Sequence, residues 1–191
     1  MRNQITTPNY LDTDYNWERP LASPGSANVD FEERVDFKRL HTYRVSRTRA
    51  AVSGSGLGSM LCFDNNNIRY ITSSVIGEWA RDKVCRYALI AGSSEPYLWD
   101  FGSAAAHHRL YAPWLREDHC KAGMLGLRGS VPPEAGLFKS AAKEIKEALQ
   151  KEGVADMPVG VDIVELPMLF ALREVGLDIR DGQQTMLDAR E

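Results

Sequence analysis

The sequence predicts an α/β domain, a mixed sheet flanked by three or four helices. Helix-period apolar residues recur at Phe37, Leu40 and Tyr43, and again through Phe138, Ala141, Ala142, Ile145, Ala148 and Leu149. Between these segments lie short apolar runs bounded by Gly, Pro, Asn and Asp, the punctuation of strands. A length of 191 residues suits one compact domain, or two small ones, and leaves no room for a second catalytic domain.

Residues 1–28 contain Pro8, Pro20, Pro24 and Gly25 among Tyr10, Tyr15 and Trp17. They read as an extended N-terminal arm, and the aromatics imply that it lies against a surface, since a solvated tail gains nothing from them. The domain proper spans 29–191. From Asp30 the pattern is helical until Gly54, Gly56 and Gly58 stop it. Strands are expected to dominate the rest of the first half. Ser59 to Phe63 is one, Asp64 to Asn67 a turn, Ile68 to Thr72 a second strand, and Cys85 to Ala91 with Tyr97 to Phe101 a hairpin. Ser103 to Leu115 reads as a helix interrupted near Pro113, Gly123 to Leu127 as a short strand, and Arg128 to Gly136 as a loop. Leu137 to Glu152 is the clearest helix, closed by Gly153. Pro158 to Val164 is a buried-type strand, and Leu166 to Val175 a helix with Pro167 in its first turn and Gly176 past its end. Leu177 to Arg180 and Thr185 to Ala189 complete the strands.

Composition narrows the function. Twenty-three Lys+Arg against 26 Asp+Glu give a net charge of −3, so the overall field does not attract phosphates and nucleic acid is not an expected partner. The longest apolar run, Leu166 to Leu172, is seven residues and contains Pro167, which excludes a membrane-spanning segment of that kind. The polar, acid-bearing N-terminus is unlike a signal peptide, and a cytoplasmic location is expected. Three cysteines (Cys62, Cys85, Cys120) without CxxC spacing fit reduced thiols.

Most candidate chemistry has a plainer explanation. The cluster GSGLGS (Gly54 to Ser59) follows a helix and opens a strand, the reverse of a dinucleotide fingerprint. His107-His108 and His119-Cys120 lack metal-ligand spacing, because adjacent helical side chains diverge by about 100°. No metal site is expected in this chain. A thiol enzyme centred on Cys120 needs a low-pKa thiolate beside an oriented imidazole, whereas Asp118 adds a like charge. Asp100 ends an apparent strand, where α/β sites often lie, but reads more simply as a surface acid. The basic stripe Lys38, Arg39, Arg44, Arg47 and Arg49 reads as a solvated helix face. Trp79-Ala80-Arg81 differs: in an extended loop an i,i+2 pair projects to one side, setting a flat apolar platform beside a forked donor suited to a carboxylate. On these residues alone, a surface arginine beside a half-buried tryptophan has the better claim.

The order of several phrases carries a resemblance: the arginine-rich helix, GSMLCF, Asn67-Ile68-Arg69-Tyr70-Ile71-Thr72, CRYALIA, PYLWDFG and the late PVGVDI, LPMLFALREVG and QTMLDARE. Residues 30 to 191 resemble the N-terminal domain of the creatinase, prolidase and aminopeptidase P group, the M24 or pita-bread metalloenzymes. The resemblance implies a ribonuclease-H-like mixed sheet flanked by helices that carries neither catalytic residues nor metal. It places a dinuclear divalent metal centre in a following C-terminal catalytic domain, outside this chain. It implies a homodimer in which each N-terminal domain leans over the partner's active site. There Trp79 and Arg81 would stand where creatinase-like members carry an F-x-R element that holds substrate, with Trp in place of Phe. Trp17 would match the arm aromatic of the branch that cleaves dimethylsulfoniopropionate.

The expected function is therefore a non-catalytic N-terminal domain of a metal-dependent hydrolase of the Xaa-Pro peptidase or creatinase type. It would serve dimerisation and bind a small carboxylate-bearing or peptide substrate through Trp79, Arg81 and Trp17. The alternatives are a free-standing small-acid binding module and the N-terminal part of a dimethylsulfoniopropionate lyase-like member of the same family.

Overall fold

A computed structural model of the chain describes residues 36–74, 85–124 and 135–191. The elements are helix α1 (Phe37–Ser55), strand β1 (Ser59–Cys62), helix α2 (Asn65–Thr72), strands β2 (Tyr87–Ala91) and β3 (Tyr97–Asp100), helix α3 (Gly102–Tyr111), strand β4 (Cys120–Ala122), helix α4 (Leu137–Lys151), strand β5 (Val159–Val161), helix α5 (Leu166–Glu174), strand β6 (Ile179–Asp181) and helix α6 (Gln183–Arg190). The strands form one mixed sheet in the order β4-β3-β2-β1-β5-β6. The β1/β2 and β2/β3 pairs are antiparallel; β3/β4, β1/β5 and β5/β6 are parallel. The expected mixed sheet flanked by helices is the fold observed.

Every residue of β1, β2 and β3 is buried, because helices cover both faces of the sheet. Leu61, Tyr87, Leu89 and Trp99 face one layer, where Ile145 and Leu149 of α4 and Leu172 of α5 complete the core. Met60, Cys62, Ala88, Ile90 and Leu98 face the other, against Val45 and Val52 of α1, Ile68 and Ile71 of α2 and Met186 of α6. The period-two alternation of the strands thus feeds two separate cores.

Two expected strands are helices. Ile68 to Thr72 belongs to α2, because Asp64 caps that helix: its carboxylate accepts from the backbone N–H of Asn66 (2.9 Å) and Asn67 (3.3 Å). Ile68, Ile71 and Thr72 then fall on one buried stripe, a helical spacing that the β-branched residues disguise. Thr185 to Ala189 lies in α6, started by Asp181 accepting from Gln183 N (2.9 Å) and seated by Met186 and Ala189. The first half is accordingly less strand-rich than expected, and six helices are described where three or four were expected. A strand forms at Cys120–Ala122, and Gly123 and Met124 lie outside it; the remainder of the strand expected at Gly123 to Leu127 lies outside the described residues. The arm 1–28 lies outside the described residues.

The basic stripe of α1 is partly structural. Arg47 donates to the carbonyls of Ala189 (2.9 Å) and Asp188 (3.3 Å), satisfying the end of α6. Arg49 donates to Ser94 O (2.6 Å) and Glu95 Oε1 (3.1 Å), holding the β2–β3 turn. Two buried histidines grip that turn: His41 Nε2 lies 3.4 Å from Glu95 Oε2, and His119 Nδ1–H donates to Glu95 O at 2.9 Å. Burial lowers the pKa of both imidazoles, against the opposing pull of Glu95 on His41 and of Asp118 on His119.

A histidine whose folded pKa lies below 6.5 binds fewer protons folded than unfolded as pH falls below that value. The stability it contributes is complete above pH 6.5 and is lost as the pH falls toward the depressed folded pKa. Urea midpoints should therefore decline between about pH 7 and pH 5, and a His41→Gln/His119→Gln double variant should show a shallower slope. An identical slope in the variant would contradict the assignment.

Candidate functional site

The residues flanking segment 75–84, which carries Trp79 and Arg81, converge on a buried ion pair. The strand register brings them together. In the antiparallel β2/β3 pair Tyr87 faces Trp99, so Arg86, just before β2, meets Asp100, the last residue of β3. In the parallel β3/β4 pair Asp100 faces Ala122, which brings Gly123 to the same end of the sheet. Helix α3 begins just past Asp100 and returns His108 to it two turns later.

Asp100 is fully buried, which corrects its reading as a surface acid. Its Oδ1 accepts from Phe101 N at 2.8 Å. Its Oδ2 lies 2.9 Å from Arg86 Nε and 3.0 Å from His108 Nε2. A carboxylate is an acceptor only, so the contact places the His108 proton on Nε2. Both partners are themselves buried, Arg86 at 2% and His108 at 3% exposure. Burial lowers the Arg86 pKa from its ordinary value and Asp100 opposes that fall.

Arg86 also reaches across to the end of α2. Its Nη2 donates to Ser74 O (3.2 Å) and Ser74 Oγ (2.7 Å). Ser74 Oγ is 2.6 Å from Thr72 Oγ1, which in turn donates to Ile68 O at 2.7 Å. Since each hydroxyl has a single proton, the direction is fixed: Arg86 donates to Ser74, Ser74 to Thr72 and Thr72 to the helix backbone. Ser73, the C-cap of α2, adopts left-handed backbone at φ 51°, and Trp114 Nε1 donates to Thr72 O at 2.9 Å. On the other side Gly123 N donates to Asp100 O at 2.6 Å, and a Cβ on Gly123 would sit 2.6 Å from Cys85 O. Only glycine allows that approach. Arg109 of α3 donates through Nε (3.0 Å) and Nη2 (2.7 Å) to Cys120 O, joining the helix to β4.

The three residues expected to bind substrate, Trp17, Trp79 and Arg81, lie outside the described residues. The structure describes what holds both ends of the segment bearing two of them. Sequence reasoning passes over Arg86, Ser74 and Gly123 and gives Asp100 the plainer role. The available signal is an arginine entering a strand otherwise made of apolar residues, CRYALIA.

The remaining candidates are committed to structure. Cys62, Cys85 and Cys120 are buried. Burial pushes the Cys62 thiol well up and raises that of Cys120, opposite to what a nucleophile needs. His119, next to Cys120, donates from Nδ1 to Glu95 O in the β2–β3 turn and stacks on Tyr97. Among the described residues no three of His, Cys, Asp and Glu are grouped to hold a metal ion. The Asp100–His108 contact does not fit one either, because the Arg86 guanidinium already supplies the cation on Oδ2. Among the described residues no helix is long and apolar enough to cross a membrane.

No family model matches the chain. It is 28% identical over 152 residues to the dimethylsulfoniopropionate lyase DddP of Roseovarius nubinhibens, covering 78% of this chain and 33% of that protein. It is 28% identical over 158 residues to the DddP of Roseobacter denitrificans, covering 81% and 34%. The chain thus spans about a third of the length of the curated relatives it matches. Among solved structures it is similar to the Xaa-Pro dipeptidase of Bacillus anthracis, with a TM-score of 0.51 at 14% identity over 75% of this chain and 34% of that one. It is similar to the N-terminal domain of the cytoplasmic peptidase PepQ of Mycobacterium tuberculosis, with a TM-score of 0.50 at 20% identity over 77% of this chain and 98% of that one.

Removing one partner of a buried ion pair strands the other in the core. Arg86→Met, which keeps the apolar stem and deletes the charge, should cost about 3–5 kcal/mol of unfolding free energy in urea titrations. A loss below about 1 kcal/mol would place Asp100 in contact with water in solution.

Proposed function

We propose that this chain, whose fold is that of the N-terminal domain of the creatinase, prolidase and aminopeptidase P group, recognises substrate for a metal-dependent M24-type enzyme without supplying its reacting groups. The observation that carries the reading is the fold match to the PepQ N-terminal domain, 98% of which is covered. The expectation from the resemblance completes it: a catalytic domain holds two divalent metal ions, and the N-terminal domains of a homodimer reach toward one another's active sites. When bound, such a metal pair supplies polarisation of the scissile group and an activated water.

On this reading Arg81 forms a charge-assisted pair with the substrate's carboxylate, and Trp79 supplies an apolar wall that displaces water and strengthens that pair. Trp17 joins them from the arm. The contribution is orientation, which lowers the barrier by restricting the substrate before it reacts. The ion pair joining Ser74, Arg86 and Asp100 supports the assignment, because a recognition segment needs supported ends.

A second reading is favoured by the sequence relatives, both of which are dimethylsulfoniopropionate lyases by name. A lyase substrate of that kind and an Xaa-Pro dipeptide each present a free carboxylate, so the role of Arg81 is common to both. What differs is the reaction carried out at the metals.

The test uses the whole protein loaded with divalent metal and offered either dimethylsulfoniopropionate or Ala-Pro. Proline release supports the peptidase reading and acrylate release the lyase reading. In either case Arg81→Ala should raise KM by about 10- to 100-fold, the loss of one hydrogen-bonded charge contact, with metal content unchanged. An Arg81→Ala enzyme with unaltered KM and kcat on the active substrate would remove Arg81 from recognition.

A further inference from the structure

We infer that the recess between the N-terminal half of α4 and the carboxyl end of β4 binds a small primary alkylammonium ion, held by the Glu144 carboxylate and the Tyr87 hydroxyl. It uses none of the residues assigned to substrate recognition. One wall comes from a single helical stripe: Leu137, Ser140, Ala141 and Glu144 recur at the three- and four-residue steps that share one face of α4. The facing wall comes from the sheet. Tyr87 stands at the start of β2, and Gly123 and Met124 follow the end of β4. Strands β3 and β4 run parallel, and the recess lies beyond the carboxyl end of β4, where open α/β sheets bind ligands. Its volume is about 140 Å³, comparable to a cavity that admits a benzene-sized molecule.

Two polar groups here look to the recess for a partner. Tyr87 is 1% exposed, its ring packed against Trp99 at 5.1 Å and Phe63 at 5.5 Å, and among the described residues no hydrogen-bond partner meets its hydroxyl. A hydroxyl so enclosed makes its hydrogen bond with whatever fills the recess. Burial raises the phenol pKa and the Glu144 charge adds to the rise, so the hydroxyl keeps its proton and offers an acceptor oxygen. Glu144 accepts from Trp99 Nε1 on Oε2 at 3.0 Å, which orients the carboxylate, and among the described residues no cation is paired with it. Three lysines of α4 are engaged elsewhere: Lys139 with Glu174, Lys146 with Val175 O and Lys151 with Asp118. Lys143 adjoins Glu144 in sequence and so projects about 100° away. Lys121, opposite Trp99 in the strand register, stands over the Tyr97 and Trp99 rings at 6.0 and 5.8 Å. An ammonium group answers both needs: it donates to Glu144 and to the Tyr87 oxygen, while its alkyl chain lies on Met124, Leu137 and Ala141. An anion is repelled by Glu144, and a bare metal ion finds too few oxygens there.

The experiment titrates the full 191-residue chain at neutral pH with n-butylammonium chloride, n-butanol and sodium butyrate, following the Trp99 indole N–H and the Met124 methyl by NMR. n-Butylammonium should shift both resonances saturably with a dissociation constant on the order of 1 mM, the range open to so few non-hydrogen atoms. Butanol and butyrate should bind at least about tenfold more weakly. Glu144→Gln, which keeps an acceptor for Trp99, should weaken the ammonium about tenfold or more, and Tyr87→Phe about three- to tenfold. Tyr87→Phe should also leave the thermal midpoint of the free chain within about 2 °C, because the hydroxyl it removes bonds no described group. A larger fall gives the hydroxyl a partner inside the protein and overturns the site. So does the absence of a saturable shift up to about 50 mM n-butylammonium, or binding that Glu144→Gln leaves unchanged. Equal binding of butanol and butylammonium overturns it as well, since the recess then selects apolar bulk and not charge.

Discussion

The described structure depends on satisfying one buried carboxylate. Asp100 ends strand β3 with no exposure, and an isolated anion there would cost several kcal/mol. Arg86 and His108 meet that demand on one oxygen and Phe101 N on the other. Each partner brings an element with it: Arg86 fixes the start of β2, and His108 fixes the pitch of α3 over the sheet end. Gly123, bonded to the carbonyl of the same residue, fixes the exit of β4. Four chain segments thus meet within hydrogen-bonding distance of a single residue. Apolar packing alone would leave them free to slide, because dispersion and hydration forces have little directionality.

Several other polar groups are likewise committed to the interior of the domain. The buried thiols are driven toward their neutral forms, and the two histidines at the β2–β3 turn are held away from protonation. Asp162 accepts from Phe63 N, Asp64 N and Ile163 N and from the Asn67 amide, joining β5 to the start of α2. Catalytic pairs combine a perturbed group with access to a reactant. Cys62, Cys120, His41 and His119 combine a shifted pKa with burial rather than with access.

The legible parts of the sequence are those where one physical signal dominates. The long amphipathic pattern of Leu137 to Glu152 and the hairpin around Gly92 to Pro96 can be read directly, as can the helix opened by Pro167 and closed by Gly176. Asn65 to Thr72 misleads because Ile68, Ile71 and Thr72 carry strand preference, while the deciding event is the Asp64 side chain capping two backbone amides. Thr185 to Ala189 misleads for a related reason: its short mix of polar and apolar residues looks indifferent until Met60 and Met186 share one core. Asp100 cannot be recognised as buried, since its partners stand 14 residues before it and eight after, and only strand register makes them neighbours. The resemblance to a known family supplies the fold, yet it gives no hint of the ion pair.

Helix α2 shows how this polar scaffold extends beyond the ion pair. On its exposed side, Tyr70 donates to Ala189 O at 2.7 Å, alongside the Arg47 bond to the same carbonyl. At its C-terminus, Thr72 and Ser74 pass the hydrogen-bond chain to Arg86. A helix of eight residues is about 12 Å long, so α2 carries these contacts from α6 at one side to Ser74 at its C-terminal end. The helix α6 and Ser74 are therefore joined through α2 by a run of named hydrogen bonds. Directional polar contacts set that linkage, while the apolar stripe of Ile68 and Ile71 keeps the helix seated on the sheet.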